Sequence, residues 1–277
     1  MTPFKTQLLK WVGSKQRVAH LIAAAFPAHA AYHEPFLGAG GVMGTLAPVR
    51  GFGADVFAPL IGIWQALSRE PEVLKGWYGT RWHRFQDGDR RLRYAEILAS
   101  YNAQPNAADF LFLTRSCYGG VVRFRARDGH MSTPVGVHPP IAPQAFARRV
   151  DVWHARLRGC AFDCMDFAES MARARAGDLI YCDPPYVHTQ SIIYGAQAFD
   201  LGRLFTAIAE AKARGVHVAL SIDGSNRSGA RSLPVAMPEG LFAREVAIPL
   251  GRSMLRRFQM EGETLEGEAV SDRLLLT

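Results

Sequence analysis

The 277-residue sequence predicts an α/β fold interrupted by a mainly helical insertion, and three stretches predict it. Tyr32 to Val42 reads as strand, glycine turn and helix. Leu179 to Tyr186 is a short apolar run halted by Asp183-Pro184-Pro185-Tyr186, as a buried strand would be. Between them, over residues 61–160, tryptophans and arginines sit among helical segments and a hairpin signal. A hydrophobic fraction of 48% supports a full core, and the length suits one large domain carrying an insertion.

Taken in order, Leu8 to Lys15 precedes an amphipathic segment from Gln16 to Ala25, with Val18, Leu21 and Ile22 on one face and Phe26-Pro27 ending it. Its Gly13-Ser14-Lys15 turn can seat an anion through backbone N–H groups and the lysine ammonium. Trp11 is either a hydrophobic anchor or a surface for a purine. In the next unit, Gly38 and Gly40 let the backbone approach a ligand closely. The dinucleotide fingerprint wants a third glycine where Met43 stands, so a pyrophosphate cradle is poorly matched. Gly53-Ala54-Asp55-Val56 ends a second strand in a carboxylate suited to ribose hydroxyls. An adenosine-containing cofactor without a required pyrophosphate fits this pair.

In the insertion, Pro71 to Tyr78, Asp89 to Ser100 and the apolar Ala108 to Leu113 are the regular segments. Val121 to Arg127 alternates and meets Asp128-Gly129, which reads as a hairpin strand showing Arg123, Arg125 and Arg127 on one face. Between Phe110 and Cys160 there are eight arginines against two acidic residues, so the basic excess is concentrated here. Nucleic-acid contact is the expectation. Pro134 to Pro143 returns the chain to the α/β pattern. Cys160 to Phe167 is then a strand ending in Asp166-Phe167, Ala168 to Ala176 a helix, and Gly177-Asp178 the turn into the central strand. Val187 to Ala198 has no clear period and is expected as a loop over the site. Leu201 to Arg214 is a helix stopped by Gly215, and Val216 to Ile222 a strand. Phe242 to Pro249 and Arg273 to Leu276 read as late antiparallel strands, with a polar, loose Gly251 to Ala269 between them.

The central turn carries the chemistry. It presents Asp183, the Pro184 carbonyl and the Tyr186 ring together at a strand's C-terminal end, where open α/β sheets hold ligands. Two acceptors beside a flat aromatic suit a planar group with an exocyclic amine, such as adenine or cytosine. The net charge of +7 and a pI near 9.5 fit a polyanionic partner. No apolar run approaches the roughly 20 residues of a membrane span, and Met1 to Lys15 lacks a signal peptide's apolar core. Cys117, Cys160, Cys164 and Cys182 form no C-x-x-C pair, so reduced thiols are expected rather than a metal site or disulfides. The expected location is cytoplasmic, at the nucleoid through DNA.

With these pieces placed, the chain resembles the DNA adenine methylase (Dam-type) family of N6-adenine DNA methyltransferases, nearly end to end. The resemblance rests on Lys10-Trp11-x-Gly13-x-Lys15, Glu34-Pro35-Phe36-x-Gly38-x-Gly40, Asp55, Tyr118-x-Gly120-x-x-Arg123, Asp166-Phe167 and Asp183-Pro184-Pro185-Tyr186. It implies a Rossmann-like S-adenosylmethionine (SAM)-dependent methyltransferase sheet from residues 1–60 and 161–277, with a target-recognition insertion at 61–160. Trp11, Gly13 and Lys15 would line the SAM pocket, with Lys15 near the methionine carboxylate. Phe36, Gly38 and Gly40 would form the cofactor loop, Asp55 would hold the ribose, and Asp166 and Phe167 would meet the cofactor adenine. Asp183, Pro184 and Tyr186 would be catalytic. Lys10, Tyr118, Arg123, Arg125, Arg127 and Pro134 would face double-stranded DNA, with Arg123 in the place of a base-reading arginine. Lys10, Arg123 and Pro134 suit a GATC target, whereas Gly119 and His138 depart from the pattern.

The expected reaction is methyl transfer from SAM to N6 of a flipped-out adenine, needing no metal and no covalent nucleophile. N4-cytosine methylation and a non-catalytic DNA-binding role are the alternatives, and a cognate restriction endonuclease is a partner open to such an enzyme. A nicotinamide-dependent oxidoreductase fits worst, given Met43 and the Asp-Pro-Pro-Tyr turn.

Overall fold

Two strands whose every residue is buried, β1 (Tyr32–Glu34) and β4 (Leu179–Cys182), lie side by side in parallel at the centre of a seven-stranded sheet. The structure is a computed structural model and describes residues 1–185, 199–223, 237–251 and 270–277. β2 (Gly51–Asp55) and then β3 (Cys160–Cys164) extend the sheet from β1, also in parallel. On the other side, β5 (His217–Asp223) pairs in parallel with β4. β6 (Arg244–Gly251) is the far edge, and β7 (Val270–Leu276) runs antiparallel between β5 and β6. The strand order reverses between β1 and β4, so a crevice opens at their C-terminal ends.

Short helices join the strands. α1 (Ala19–Ala24) precedes β1, and α2 (Gly41–Leu46) follows it. α8 (Phe167–Ala172) and α9 (Leu201–Ala213) pack against each other beside the second half of the sheet. Aspartates cap both: Asp166 accepts from the Ala168 N–H, and Asp200 from those of Gly202 and Arg203. The expected α1 is shorter than its periodicity suggested, and Leu21 is 37% exposed while Val18 and Ile22 are buried. α8 likewise stops at Ala172, four residues early.

The insertion is helical: α4 (Pro71–Gln86), α5 (Arg90–Ala103), α6 (Ala107–Ser116) and α7 (Pro143–Arg156). α7 was not foreseen, although Pro143 at its start and the buried spacing Phe146, Val150, Trp153 are ordinary helix signals. α3 (Ala58–Arg69) crosses residue 61 yet docks on the sheet. Trp64 stacks on Phe162 of β3 at 5.7 Å, and Gln65 and Ser68 donate to the Phe162 and Cys160 carbonyls. Trp64 also meets Trp153 at 5.3 Å, so two fully buried indoles join the sheet layer to α7.

The expected hairpin folds back antiparallel, but its strand is shorter than expected. Val121 to Arg127 does not become a strand with three arginines on one face. Its two sides meet through an isolated Phe124–Met131 bridge and bonds from the Arg125 N–H to the His130 carbonyl and the Ser132 N–H to the Arg123 carbonyl, each 2.9 Å. Asp128 is the physical reason. Its carboxylate accepts the His130 N–H at 3.1 Å and pairs with Arg125 and Arg127, drawing residues 126–128 into a turn that replaces the ladder.

The late strands are antiparallel, as expected. Tyr186, the loop expected from Val187 to Ala198, and the loose segment beyond Gly251 up to Ala269 lie outside the described residues. Among the described residues no helix is long and apolar enough to cross a membrane.

Candidate active site

The crevice holds a cleft of about 280 Å³ lined by residues from six separate stretches of sequence. Ten of the twelve residues assigned to catalysis or cofactor binding, among them Trp11, Gly13, Lys15, Asp55, Asp166, Asp183 and Pro184, belong to its wall. Tyr186 is outside the described residues, and Gly40 is not part of the wall. Gly40 instead adopts a left-handed conformation (φ 58°) as the residue before α2, beneath the Trp64 ring.

At one end, the glycine loop is drawn tight. Gly38 is also left-handed (φ 46°), and a Cβ there would stand 3.0 Å from Trp11 Nε1. Asp55 fixes the turn by accepting the Gly38 N–H at 3.2 Å and the Phe57 N–H at 3.1 Å. Trp64 Nε1 donates to the Gly38 carbonyl at 3.0 Å from behind. Beyond the loop, Phe36 stacks on Phe167 with centroids 5.2 Å apart, and Phe199 closes edge-on against Phe36 at 5.8 Å. Asp166 stands beside this aromatic slot, where Arg203 donates to it at 2.9 Å and lies over the Phe167 ring.

At the other end is the turn after β4. Lys15 Nζ donates to Asp183 Oδ1 at 2.7 Å and lies 3.5 Å from Asp272 Oδ2. Burial alone would push the Lys15 ammonium toward deprotonation, but the two carboxylates outweigh it and hold the pKa above its usual range. Lys15, expected near a methionine carboxylate, thus has its ammonium on Asp183 in this structure. Glu34, 3% exposed, shares the wall. Burial raises its carboxyl to about 8, the Asp183 charge adds to the rise, and donors from Tyr32 (2.9 Å) and the Met43 N–H (3.0 Å) oppose it.

The residues assigned to DNA gather away from the cleft wall, around the loop that follows α6. The Tyr118 N–H donates to the Pro134 carbonyl at 2.8 Å, and the Arg123 N–H to Thr133 Oγ1 at 2.9 Å. Tyr94 Oη holds the Thr133 carbonyl at 2.8 Å from the helical side. Arg123 and Arg127 are exposed, and Arg125 and Arg127 both pair with Asp128. The Lys10 side chain runs along Gly120, so tightly that a Cβ on that glycine would lie 2.8 Å from Lys10 Cβ. Neighbouring residues of the N-terminal segment therefore touch different sites: Lys10 the exposed loop, Trp11 the glycine turn.

Comparison with known proteins bears on this arrangement. Residues 11–226 match the model of the D12 class N6 adenine-specific DNA methyltransferases. The chain belongs to that family.

The D12-class chain is 29% identical to a DNA N-6-adenine-methyltransferase of Escherichia phage P1 over 235 residues, 80% of this chain but 30% of the phage protein. It is 28% identical to a DNA adenine methylase of Vibrio cholerae over 230 residues, 77% of this chain and 79% of that one. With a DNA adenine methylase of Serratia marcescens the identity is 31% over 182 residues, 64% of this chain and 66% of the other. Membership in a methyltransferase family implies SAM as cofactor and DNA as substrate.

In this D12-class methyltransferase the sequence motifs did not reveal Glu34's place in the cleft, Phe199, Arg203 or Asp272. Glu34 had a signal, because it opens the glycine-loop motif at the end of a buried strand. The other three belong to no turn motif; packing alone brings Phe199 and Arg203 to the cleft and Asp272 to Lys15.

Proposed function

We propose that this chain transfers the methyl group of SAM to N6 of an adenine flipped out of duplex DNA. The observation that carries the reading is the placement of Asp183 at the C-terminal end of β4, in one cleft with Asp55 and Asp166. The residues fit the cofactor. The close-approach turn at Gly38 and the Asp55 carboxylate suit a ribose, while the Phe36–Phe167 slot beside Asp166 suits an adenine bearing an amine. The Gly13 turn remains for the methionine carboxylate, while Lys15, which the family resemblance also puts there, holds Asp183 and Asp272 in this structure.

SAM supplies a methyl group already activated on a sulfonium. The chain's own task concerns the nucleophile, because the adenine amine lone pair is delocalised into the ring. Asp183 and the Pro184 carbonyl accept the two amine hydrogens, favour a pyramidal nitrogen and stabilise the positive charge it acquires. Holding that nitrogen in line supplies much of the remaining acceleration. Extruding the base costs a few kcal/mol. Stacking on Tyr186, worth about 1–3 kcal/mol, offsets part of that cost. Residues 61–160 act as the target-recognition part, with Lys10, Tyr118, Arg123 and Pro134 near bases and Arg125 and Arg127 at phosphates.

The test is incubation of the chain with duplex DNA and methyl-tritiated SAM, followed by digestion to nucleosides. Label in N6-methyldeoxyadenosine is the expected result. Label in N4-methyldeoxycytidine would overturn the choice of base, and no incorporated label would overturn the activity.

A further inference from the structure

Asp272 is a carboxylate with no exposed surface, on a strand that carries none of the recognised motifs. Its neighbours along β7 are apolar where they face inward: Leu274 and Leu276 belong to the main core cluster. Burying a carboxylate is costly unless a partner compensates it. The Lys15 ammonium, 3.5 Å away, is one such partner, and the same ammonium donates to Asp183 at 2.7 Å.

The antiparallel direction of β7 makes this meeting possible. Running against β5, it brings its beginning to the catalytic edge, and Asp272 sits opposite Asp223 at the end of β5. Two carboxylates from different strands thus flank one lysine from the N-terminal segment.

The charges matter for the chemistry proposed above. During methyl transfer the amine nitrogen bound at Asp183 becomes positive, and a carboxylate stabilises it only if that carboxylate is not already neutralised. An ammonium 2.7 Å from Asp183 works against the second cation on the same group. With Asp272 included, the three side chains carry a net charge of −1 rather than zero. Glu34, the other carboxyl near Asp183, is held largely protonated at neutral pH and does not supply that charge.

We propose that Asp272 is a positioning residue for methyl transfer: it holds the Lys15 ammonium and offsets its charge, leaving Asp183 negative enough to stabilise the reacting amine. The inference rests on the proposed N6-adenine methylation. It assigns a role to a β7 residue that is not part of the cleft wall.

The experiment is single-turnover methyl transfer at saturating SAM and DNA for the wild type, Asp272→Asn, Lys15→Gln and the double variant. SAM affinity, base extrusion reported by 2-aminopurine fluorescence, and thermal unfolding are measured alongside. Asp272→Asn keeps the shape and should slow the chemical step roughly tenfold or more, with SAM affinity and base extrusion retained. In the Lys15→Gln background, where no ammonium needs offsetting, the same substitution should have no further effect. The double variant removes both buried charges and so keeps its fold even if Asp272→Asn alone does not.

An Asp272→Asn rate equal to wild type would overturn the proposal. So would an equal loss with and without Lys15, since that is what a merely structural role predicts. If Asp272→Asn does not fold, the comparison of Lys15→Gln with the double variant decides alone: equal rates support the role, and a further tenfold loss refutes it. A wild type that transfers no methyl group to DNA would remove the functional reading itself, and this inference with it.

Discussion

The Lys15 ammonium and the Asp183 carboxylate, 168 positions apart in sequence, are joined at 2.7 Å at the head of the central strand. The contact ties the N-terminal segment to the turn after β4. It also means that Asp183 is held in place before any base arrives.

Asp183→Asn should therefore lower methyl transfer by about 10²–10³-fold, the scale of losing a preorganised group aimed at developing charge. Lys15 retains Asp272 as its counter-ion, so the variant should stay folded and bind SAM. Tritium transfer to DNA, with calorimetric SAM titration, checks both halves. Near-normal turnover would mean that the amine is held elsewhere.

Asp55→Ala removes the acceptor of the Gly38 and Phe57 N–H groups as well as the group placed for the ribose. Each lost buried hydrogen bond costs about 1–3 kcal/mol, so SAM affinity should fall roughly 10- to 100-fold. DNA affinity measured without cofactor should be unchanged. Equal SAM isotherms for variant and wild type would refute the ribose assignment.

Glu34 gives a pH signature. Its folded pKa of about 8 lies above the ordinary 4.5, chiefly through burial. Between those values the folded chain keeps a proton that the unfolded chain has released. The stability tied to this group is whole below about pH 4.5 and is lost as pH rises toward 8. Glu34→Gln has no such titration. The stability of wild type relative to this variant should fall across that window, by at most about 1.4 kcal/mol per pH unit. Urea unfolding of both proteins over the range measures it, and a flat difference would show that Glu34 ionises as freely folded as unfolded.

Arg123 and Arg127 should differ in kind. Arg123 is exposed on a loop whose backbone is pinned through Thr133 and Tyr94, as a base reader requires. A bidentate contact to guanine is worth about 1–3 kcal/mol of discrimination. Arg123→Ala should relax the target at one base pair. Arg127 lies in the turn with its guanidinium on Asp128, and Arg127→Ala should weaken binding evenly and lower the salt slope by about one unit. Methylation of a randomised-site library, with binding titrated over salt, separates the two. An unchanged sequence logo for Arg123→Ala would make this loop a phosphate clamp.

Much of the site was legible in the sequence because its parts are local. A proline pair must end a central strand, a glycine pair must turn tightly, and a carboxylate at a strand's end must lie at the ligand edge; Asp183, Gly38 and Asp55 follow from these rules at their own positions. What tertiary structure alone decided concerns groups whose partners are distant. The alternation from Val121 to Arg127 was cut short by the Asp128 carboxylate, whose bonds turn the chain at residues 126–128 so that only a short antiparallel pairing with residues 130–132 is left. α3 bridges the sheet and the helical insertion because the Trp64 indole meets both Phe162 of β3 and Trp153 of α7, nearly a hundred residues on. Arg203 entered the cleft from α9 and Asp272 reached Lys15 behind its wall from β7, elements whose sequences show only helical spacing and an apolar strand. Periodicity specifies which face of an element is buried. Which charge that face meets depends on the strand order and direction of the whole sheet.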